Sequence, residues 1–386
     1  MNYPKQIQSV IGRLERAGYE AYLVGGALRD LLLSREVSDF DITTSATPEE
    51  MKAVFSDLRT LETGLKHGTL TVLLEHMPIE VTTFRIDGDY LDARHPKSVS
   101  FTRSLSEDLA RRDFTVNAMA YSERTGLVDL YGGRADLERG LIRAVGEPAR
   151  RFSEDALRIL RAFRFCAKLG FDIEENTLEG IRACKGGLSM VSAERIAKEL
   201  EGILVGQNAY EALFLMQESG VLPLVLPEAV LDTKISALSA RFELRLAFLL
   251  LGADTECLSA RLHALKLSNA QIAAVKSLVE LAADGCPAAQ APSVRRLMAR
   301  AGELFEPLME ILRAKGKDIS EVERIAAECR ARGDCLATKD LAINGGDLVA
   351  LGKKGKAVGE ILDALLERVL DDPALNTKEI LLSLVE

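Results

Sequence analysis

The chain has 386 residues, 47% hydrophobic and 28% charged, the make-up of a globular protein with room for two or three domains and a sizeable core. Its formal charge of −9 argues against a protein that coats nucleic acid indiscriminately and leaves room for a local basic groove, since phosphate affinity depends on where Lys and Arg sit. The longest apolar runs, such as 246–253, are too short to span a bilayer. Six scattered cysteines without a C-x-x-C pair, and an N-terminus lacking a signal-peptide apolar core, point to reduced thiols and a cytoplasmic location.

In chain order, residues 5–17 read as an amphipathic helix and 19–24 as a first strand. The segment 22–44, YLVGGALRDLLLSREVSDFDITT, carries the most chemistry. A turn on Gly25-Gly26 lets backbone approach a ligand closely, and a helix with Arg29 in its first turns follows. In a strand over 39–43, Asp39 and Asp41 face one side while Phe40 and Ile42 pack on the other. Two adjacent carboxylates repel each other, and a divalent cation such as Mg²⁺ relieves that repulsion. Metal ligands, exposed amides and a guanidinium together suit a triphosphate.

Thr47 caps a helix that has Pro48 at its first position and acids in its first turn. Residues 68–74 and 79–85 are β-branched strands. Glu80, on the second of them, is either a third acidic ligand or an ordinary solvated strand residue. Residues 87–96, DGDYLDARHP, read as a surface loop, either gating a site or merely connecting. Arg111-Arg112 reads as a solvated face or, near a triphosphate, as a phosphate contact. Residues 129–137 are turn-rich and close the first domain.

In 151–171, RFSEDALRILRAFRFCAKLGF, Ser153 is a cap candidate, and Leu157, Leu160, Phe163 and Cys166 recur at core spacing. Asp155, Arg158, Arg161 and Arg164 form an i, i+3 ladder beside them, which is either a salt-bridged surface stripe or a ligand-facing one. From Ser189 onward the periodicity is helical. Glycines and lysines at 345–359 suit backbone phosphates or a solvated turn. Four histidines and no His-Asp dipeptide argue against a His-Asp metal phosphohydrolase and a Ser-His-Asp hydrolase.

Taken together, GGALRDLLLSREVSDFDI, RRDFTVNAMAY, DLYGG, EDALRILRAFRF and ERIAKEL resemble, in order, the motifs of class II CCA-adding tRNA nucleotidyltransferases. The resemblance covers the first 205 or so residues closely and the helical remainder by general character. It implies an α+β fold: a polymerase-β-like nucleotidyltransferase head with a mixed sheet at 1–140, then a helical neck at 141–205, body at 206–330 and tail at 331–386. It implies that Asp39 and Asp41 hold Mg²⁺ and are catalytic. Gly26, Arg29, Arg112, Asp155, Arg158, Arg161 and Arg164 would bind the nucleotide, with 87–96 as the family's flexible loop. Leu28, where many relatives carry Val, and Arg35-Glu36, in place of a small turn, are departures of local shape.

The implied reaction is attack of a tRNA 3′-hydroxyl on the α-phosphorus of CTP or ATP, releasing pyrophosphate. One metal would activate the hydroxyl and a second would stabilise the leaving group. The partners would be CTP, ATP and the 3′ end, acceptor arm and elbow of tRNA, with no membrane and no protein partner. Asp155 and Arg158 fit this independently. Cytosine and adenine both offer an amino donor beside a ring-nitrogen acceptor, matching a carboxylate beside a guanidinium. Uracil and guanine present the reverse order and leave buried polar groups unpaired, a rejection worth on the order of 10⁴. The alternatives are a CC-adding or A-adding partial enzyme, a poly(A) polymerase, or a non-catalytic RNA-binding protein on this fold. GTLTV at 68–72 resembles the CCA branch rather than the polymerase branch.

Overall fold

The computed structural model describes residues 3–37, 39–87 and 99–385. The chain forms two compact units, Met1–Pro227 and Glu228–Glu386. In the first, α1 (Lys5–Arg16) buries Ile7, Val10, Ile11 and Leu14 along one stripe, as its spacing predicts. β1 (Ala21–Val24) is buried throughout and passes directly into α2 (Gly25–Leu32). The Gly-Gly pair is therefore the first turn of the helix itself rather than a separate turn. β2 (Asp41–Thr44) follows, then α3 (Pro48–Val54), where Thr47 caps as the sequence predicts and Glu50 answers it to complete a capping box.

β3 (Arg59–Leu61), β4 (Thr69–Leu74) and β5 (Met77–Thr83) complete one side of the sheet. β6 (Arg85–Asp87) and β7 (Val99–Phe101) pair separately, ahead of α4 (Leu105–Ala110), β8 (Met119–Ser122), β9 (Gly126–Asp129) and α5 (Gly133–Arg139). The seven-stranded order is β3-β4-β5-β2-β1-β8-β9. β2 pairs parallel with β5 and antiparallel with β1, so the sheet is mixed and β2 is its central strand. Asp41 opens this strand, exposed, whereas Ile42, Thr43 and Thr44 are buried. Asp39 lies just before the strand, so strand alternation does not set its direction.

β10 (Leu141–Ile142), α6 (Pro148–Glu154), α7 (Leu157–Leu169), β11 (Asp172–Ile173), α8 (Glu175–Cys184), α9 (Ala193–Leu204), α10 (Ala209–Glu218) and α11 (Leu222–Val225) complete the first unit. Residues 206–227, expected within the body, thus lie in this unit. Leu157, Leu160, Phe163 and Cys166 are buried on α7 as their spacing predicts. One expectation fails here: Ser153 caps nothing. It sits inside α6, its hydroxyl donating to the Arg150 carbonyl, and the helix breaks at Asp155, whose backbone is extended (φ −146°, ψ 103°). The four charges 155, 158, 161 and 164 are therefore not one helical ladder. Asp155 stands at the break, and only the three arginines ride on α7.

The second unit is helical, with no strand among its described residues: α12 (Phe242–Leu249), α13 (Thr255–Ala264), α14 (Asn269–Asp284), α15 (Ala291–Ala301), α16 (Phe305–Ala314), α17 (Ser320–Arg332), α18 (Gly345–Ala350), α19 (Lys356–Asp371) and α20 (Lys378–Ser383). The chain is thus α+β, a mixed-sheet region followed by helices. None of the described helices is long and apolar enough to cross a membrane, and all six cysteines are free of disulfides.

Candidate active site

The site grows from the junction of β1, α2 and β2. Antiparallel register sets Val24 opposite Asp41, so the first residue of α2 falls beside the carboxylate at the head of the central strand. Gly25 adopts φ +69°, and a Cβ there would lie 3.5 Å from both Arg112 Nη1 and Asp41 Oδ2. Glycine at this point meets the left-handed backbone without strain and leaves the space between cation and carboxylate open. Val24, at the N-cap, supplies no side-chain acceptor for the first turn of α2, whose N–H groups need partners.

Parallel register pairs Asp41 with Glu80, so neighbouring side chains on the two strands share a face. Although the Asp41 side chain reaches solvent, the protein packed around its carboxyl partly desolvates it and raises it above its ordinary value. Glu80 and Asp39 push the same way, and Arg112 opposes them. Negative charge thus accumulates at the edge of β2. Among the described residues no group of three or more His, Cys, Asp or Glu forms a ready-made metal cage. The donors fit a hard cation that keeps some waters and takes further ligands from phosphate, as Mg²⁺ does, and the electrostatic strain on Asp41 is what such a cation would relieve. Asp39 and Asp41 would hold it, with Glu80 alongside.

Arg112 leans over this edge from the end of α4. Its Nη2 donates to Asp108 (3.2 Å) and its Nη1 to the Asn117 carbonyl (3.3 Å). Its Nε is buried without a partner, an open donor that an anion would satisfy. Asp108 is fully buried. Burial opposes its ionisation, but Arg111 and Arg112 outweigh that and hold its carboxyl below the ordinary value. It also accepts from the Thr43 hydroxyl on β2 (3.2 Å).

Asn117 continues the connection. Its side-chain oxygen accepts from Arg29 Nη1 (2.9 Å). Arg29 is 3% exposed and donates twice to Asp30 (2.8 and 2.9 Å). Gly26, one turn earlier, would place a Cβ 3.5 Å from Arg29 Nη2. The Arg29 guanidinium lies 5.3 Å from the centre of the Phe165 ring, which Arg161 and Arg164 also approach, at 5.5 and 5.0 Å. Three of the arginines singled out in the sequence thus meet at one aromatic ring, each paired with a carboxylate, and Glu199 also lies 3.9 Å from Arg161. Arg29 has Asp30, Arg161 has Asp113 (2.7 Å), and Arg164 has Glu199 on α9 (2.6 Å).

Asp155 and Arg158 are near in sequence but bonded to different partners. Arg158 donates to Glu154 (2.9 Å) and to the Arg151 and Arg111 carbonyls. Asp155 accepts from the Leu157 N–H (3.0 Å) and from Arg195 on α9 (2.8 Å). All the nominated residues lie in the first unit; the loop 87–96 lies outside the described residues apart from Asp87. Sequence reasoning did not single out Asp108, Asp113, Glu154, Phe165, Arg195 and Glu199. The i, i+4 spacing of Asp108 with Arg112 and of Glu154 with Arg158 was a usable signal; Arg164 with Glu199 and Asp155 with Arg195 have no such spacing, although Arg195 and Glu199 both fall within the ERIAKEL motif.

Three family models divide most of the chain between them. A poly A polymerase head domain matches residues 21–143, a probable RNA and SrmB-binding site of polymerase A matches 170–231, and a putative second domain of tRNA nucleotidyltransferase matches 243–385. The CCA-adding enzyme of Geobacillus kaustophilus is 39% identical over 388 residues, covering 97% of this chain and 95% of that one. The chain belongs to the CCA-adding enzyme family. The CCA-adding enzyme of Limosilactobacillus fermentum agrees, at 38% identity over 97% of this chain and 94% of its own. The crystal structure of the Bacillus stearothermophilus CCA-adding enzyme in complex with CTP matches with a TM-score of 0.83 and 35% identity, over 98% of this chain and 96% of that one. Membership makes the chain a nucleotidyltransferase with the polymerase-type head that its motifs resemble, and makes CCA addition its activity class.

Proposed function

We propose that the chain adds the 3′-terminal CCA to tRNA from CTP and ATP, releasing pyrophosphate, in the cytoplasm. The observation that carries this reading is one connected arrangement of charges and hydrogen bonds, from Asp41 and Arg112 on either side of Gly25, through Asn117 and Arg29, to Arg161 and Arg164 at the Phe165 ring. Asp39 and Asp41 would hold Mg²⁺, which when bound supplies hydroxyl activation and leaving-group stabilisation in a two-metal arrangement. Arg112, with its unpartnered Nε, binds and orients the triphosphate at the N-terminus of α2. Arg29, enclosed by Asp30, Asn117 and Phe165, adds fixed positive charge beneath Gly26 and costs no reorganisation during the reaction. Asp155 accepts from the amino group of cytosine or adenine while Arg158 donates to the adjacent ring nitrogen; Arg161 and Arg164 complete the pocket wall. We assign 1–140 to the catalytic head, 141–205 to base recognition, 206–330 to the body and 331–386 to tRNA binding in the tail.

The test supplies tRNA lacking its last three nucleotides, Mg²⁺, and CTP alone, ATP alone, both, UTP or GTP. Two C residues with CTP and a full CCA end with both nucleotides are expected, with UTP and GTP disfavoured by on the order of 10² or more. Addition of A only, of CC only, or of a homopolymeric A tail would overturn the reading in favour of a partial enzyme or a poly(A) polymerase.

A further inference from the structure

We propose that Arg195, on α9, is a specificity-setting positioning residue, holding the Asp155 carboxylate in the orientation from which it accepts an amine of the incoming base. The inference rests on the reading of Asp155 as the base's acceptor and adds a residue to which that reading gives no part.

Asp155 occupies the break between α6 and α7, in extended backbone. A carboxylate at such a place is not oriented by a surrounding helical turn, so side-chain contacts must fix it. Two do. Its Oδ1 accepts from the Leu157 N–H at 3.0 Å, and its Oδ2 accepts from Arg195 Nη2 at 2.8 Å. The first contact is local and moves with the break. The second comes from another helix, forty residues on, in which the Arg195 N–H bonds the Ser192 carbonyl at the helix start. Both side chains are sheltered, at 24% exposure for Arg195 and 16% for Asp155, so water competes only partly for the contact. A carboxylate has about four acceptor sites on its two oxygens, so these two donors leave capacity for a base amine.

The rest of the guanidinium bears on the same point. Arg195 Nη1 is buried with no hydrogen-bond partner. A well-packed structural ion pair would satisfy that donor, since an unmade buried hydrogen bond is costly. Left open next to a base-reading carboxylate, it suits an acceptor brought by the ligand. Arg158, the other half of the base reader, is bonded to Glu154 and two backbone carbonyls. The two readers thus have different anchors, Arg158 in α6 and at the end of α4, Asp155 at the Leu157 N–H and Arg195 of α9. With Arg195 removed, Asp155 is free to turn, and a pocket with a mobile acceptor no longer penalises a base that presents a carbonyl there.

The experiment measures kcat/KM for CTP and for UTP on full-length protein with tRNA lacking CCA, for wild type, Arg195→Met, Arg195→Lys and Asp155→Asn, with a melting curve for each. Arg195→Met is expected to melt near wild type and to lose about tenfold or more of the CTP-over-UTP preference, while Arg195→Lys, which keeps a donor cation, retains it within about threefold. A purely structural arginine would alter melting or slow both nucleotides together and leave their ratio unchanged. If Asp155→Asn loses the preference and a folded Arg195→Met keeps it, the role of Arg195 is overturned while base reading by Asp155 stands. If Asp155→Asn itself keeps the preference, the base-reading assignment falls, and the inference with it.

Discussion

At the scale of single residues, the decisive feature is charge held where it is not comfortable. Asp41 opens the central strand in register with Glu80 and beside Asp39. The folded state therefore carries like-charge repulsion that the unfolded chain escapes. Asp41→Asn removes one of those charges without changing shape. We expect it to raise the melting temperature slightly without metal, the gain kept small because the group is open to solvent, and to reduce nucleotide transfer by on the order of 10⁴. The companion measurement is the melting temperature with Mg²⁺ added, which should rise for wild type and hardly move for Asp41→Asn, because a cation that binds only the folded site stabilises by mass action. Equal Mg²⁺ shifts in both proteins would remove Asp41 as a ligand. Gly25 belongs to the same economy of space: a side chain there would meet both Arg112 and Asp41 in a backbone conformation that resists one.

At the scale of elements, the region before β10 is tied to α7 by ion pairs as well as by apolar packing, and the closer is Asp113 with Arg161, at 2.7 Å against 3.8 Å for Asp30 with Lys168. Burial by itself would raise the Asp113 carboxyl. Arg161, with the Phe114 N–H, overcomes it and holds the group down at about 2 against an ordinary 3.8. A depressed carboxylate contributes stability that is complete above its unfolded value and is lost as pH falls towards its folded one. Asp113→Asn should therefore cost on the order of 2 kcal/mol at neutral pH. The gap from wild type should close between about pH 4 and pH 2, as read by urea melts across that range. A gap that persisted at pH 2 would assign the loss to packing instead.

The same elements show what could be read in advance. The strand–glycine–helix entry, the Thr47 cap and the buried stripe of α7 were legible because each is written within one turn or one strand. The break at Asp155 was not. Ser153 followed by two acids mimics a helix start, and what ends α6 instead is a carboxylate engaged by Leu157 below and Arg195 from another helix. The pairings of Arg164 with Glu199 and Arg29 with Asn117 span 35 and 88 positions, and no local pattern announces them. Sequence therefore offers the groups nominated for the reaction and few of the partners that hold them.

At the scale of the whole molecule, every residue nominated for catalysis or base reading lies within Met1–Pro227, while Glu228–Glu386 is a separate compact unit. The second unit has an apolar core of its own, with Leu348, Leu365, Val369 and Leu381 buried among α18, α19 and α20. The first likewise buries Tyr22, Val24, Phe84, Leu109 and Ala120 at its sheet. A unit that closes its own core needs no neighbour to fold. On the proposed reading, nucleotide binding asks only for the groups of the first unit, whereas duplex RNA is held through backbone and shape over a long footprint. A fragment ending at Pro227 should therefore melt cooperatively and bind CTP within about threefold of full length, and its kcat/KM for tRNA should fall by on the order of 10² or more, mainly through KM. Loss of CTP affinity from a cooperatively folded fragment would show that the helical unit completes the nucleotide site. Unchanged tRNA kinetics would show that it does not hold the RNA. Either result would redraw the division of labour, because the first puts chemistry where only helices have been assigned and the second leaves 159 residues, from Glu228 to Glu386, without a part in the reaction.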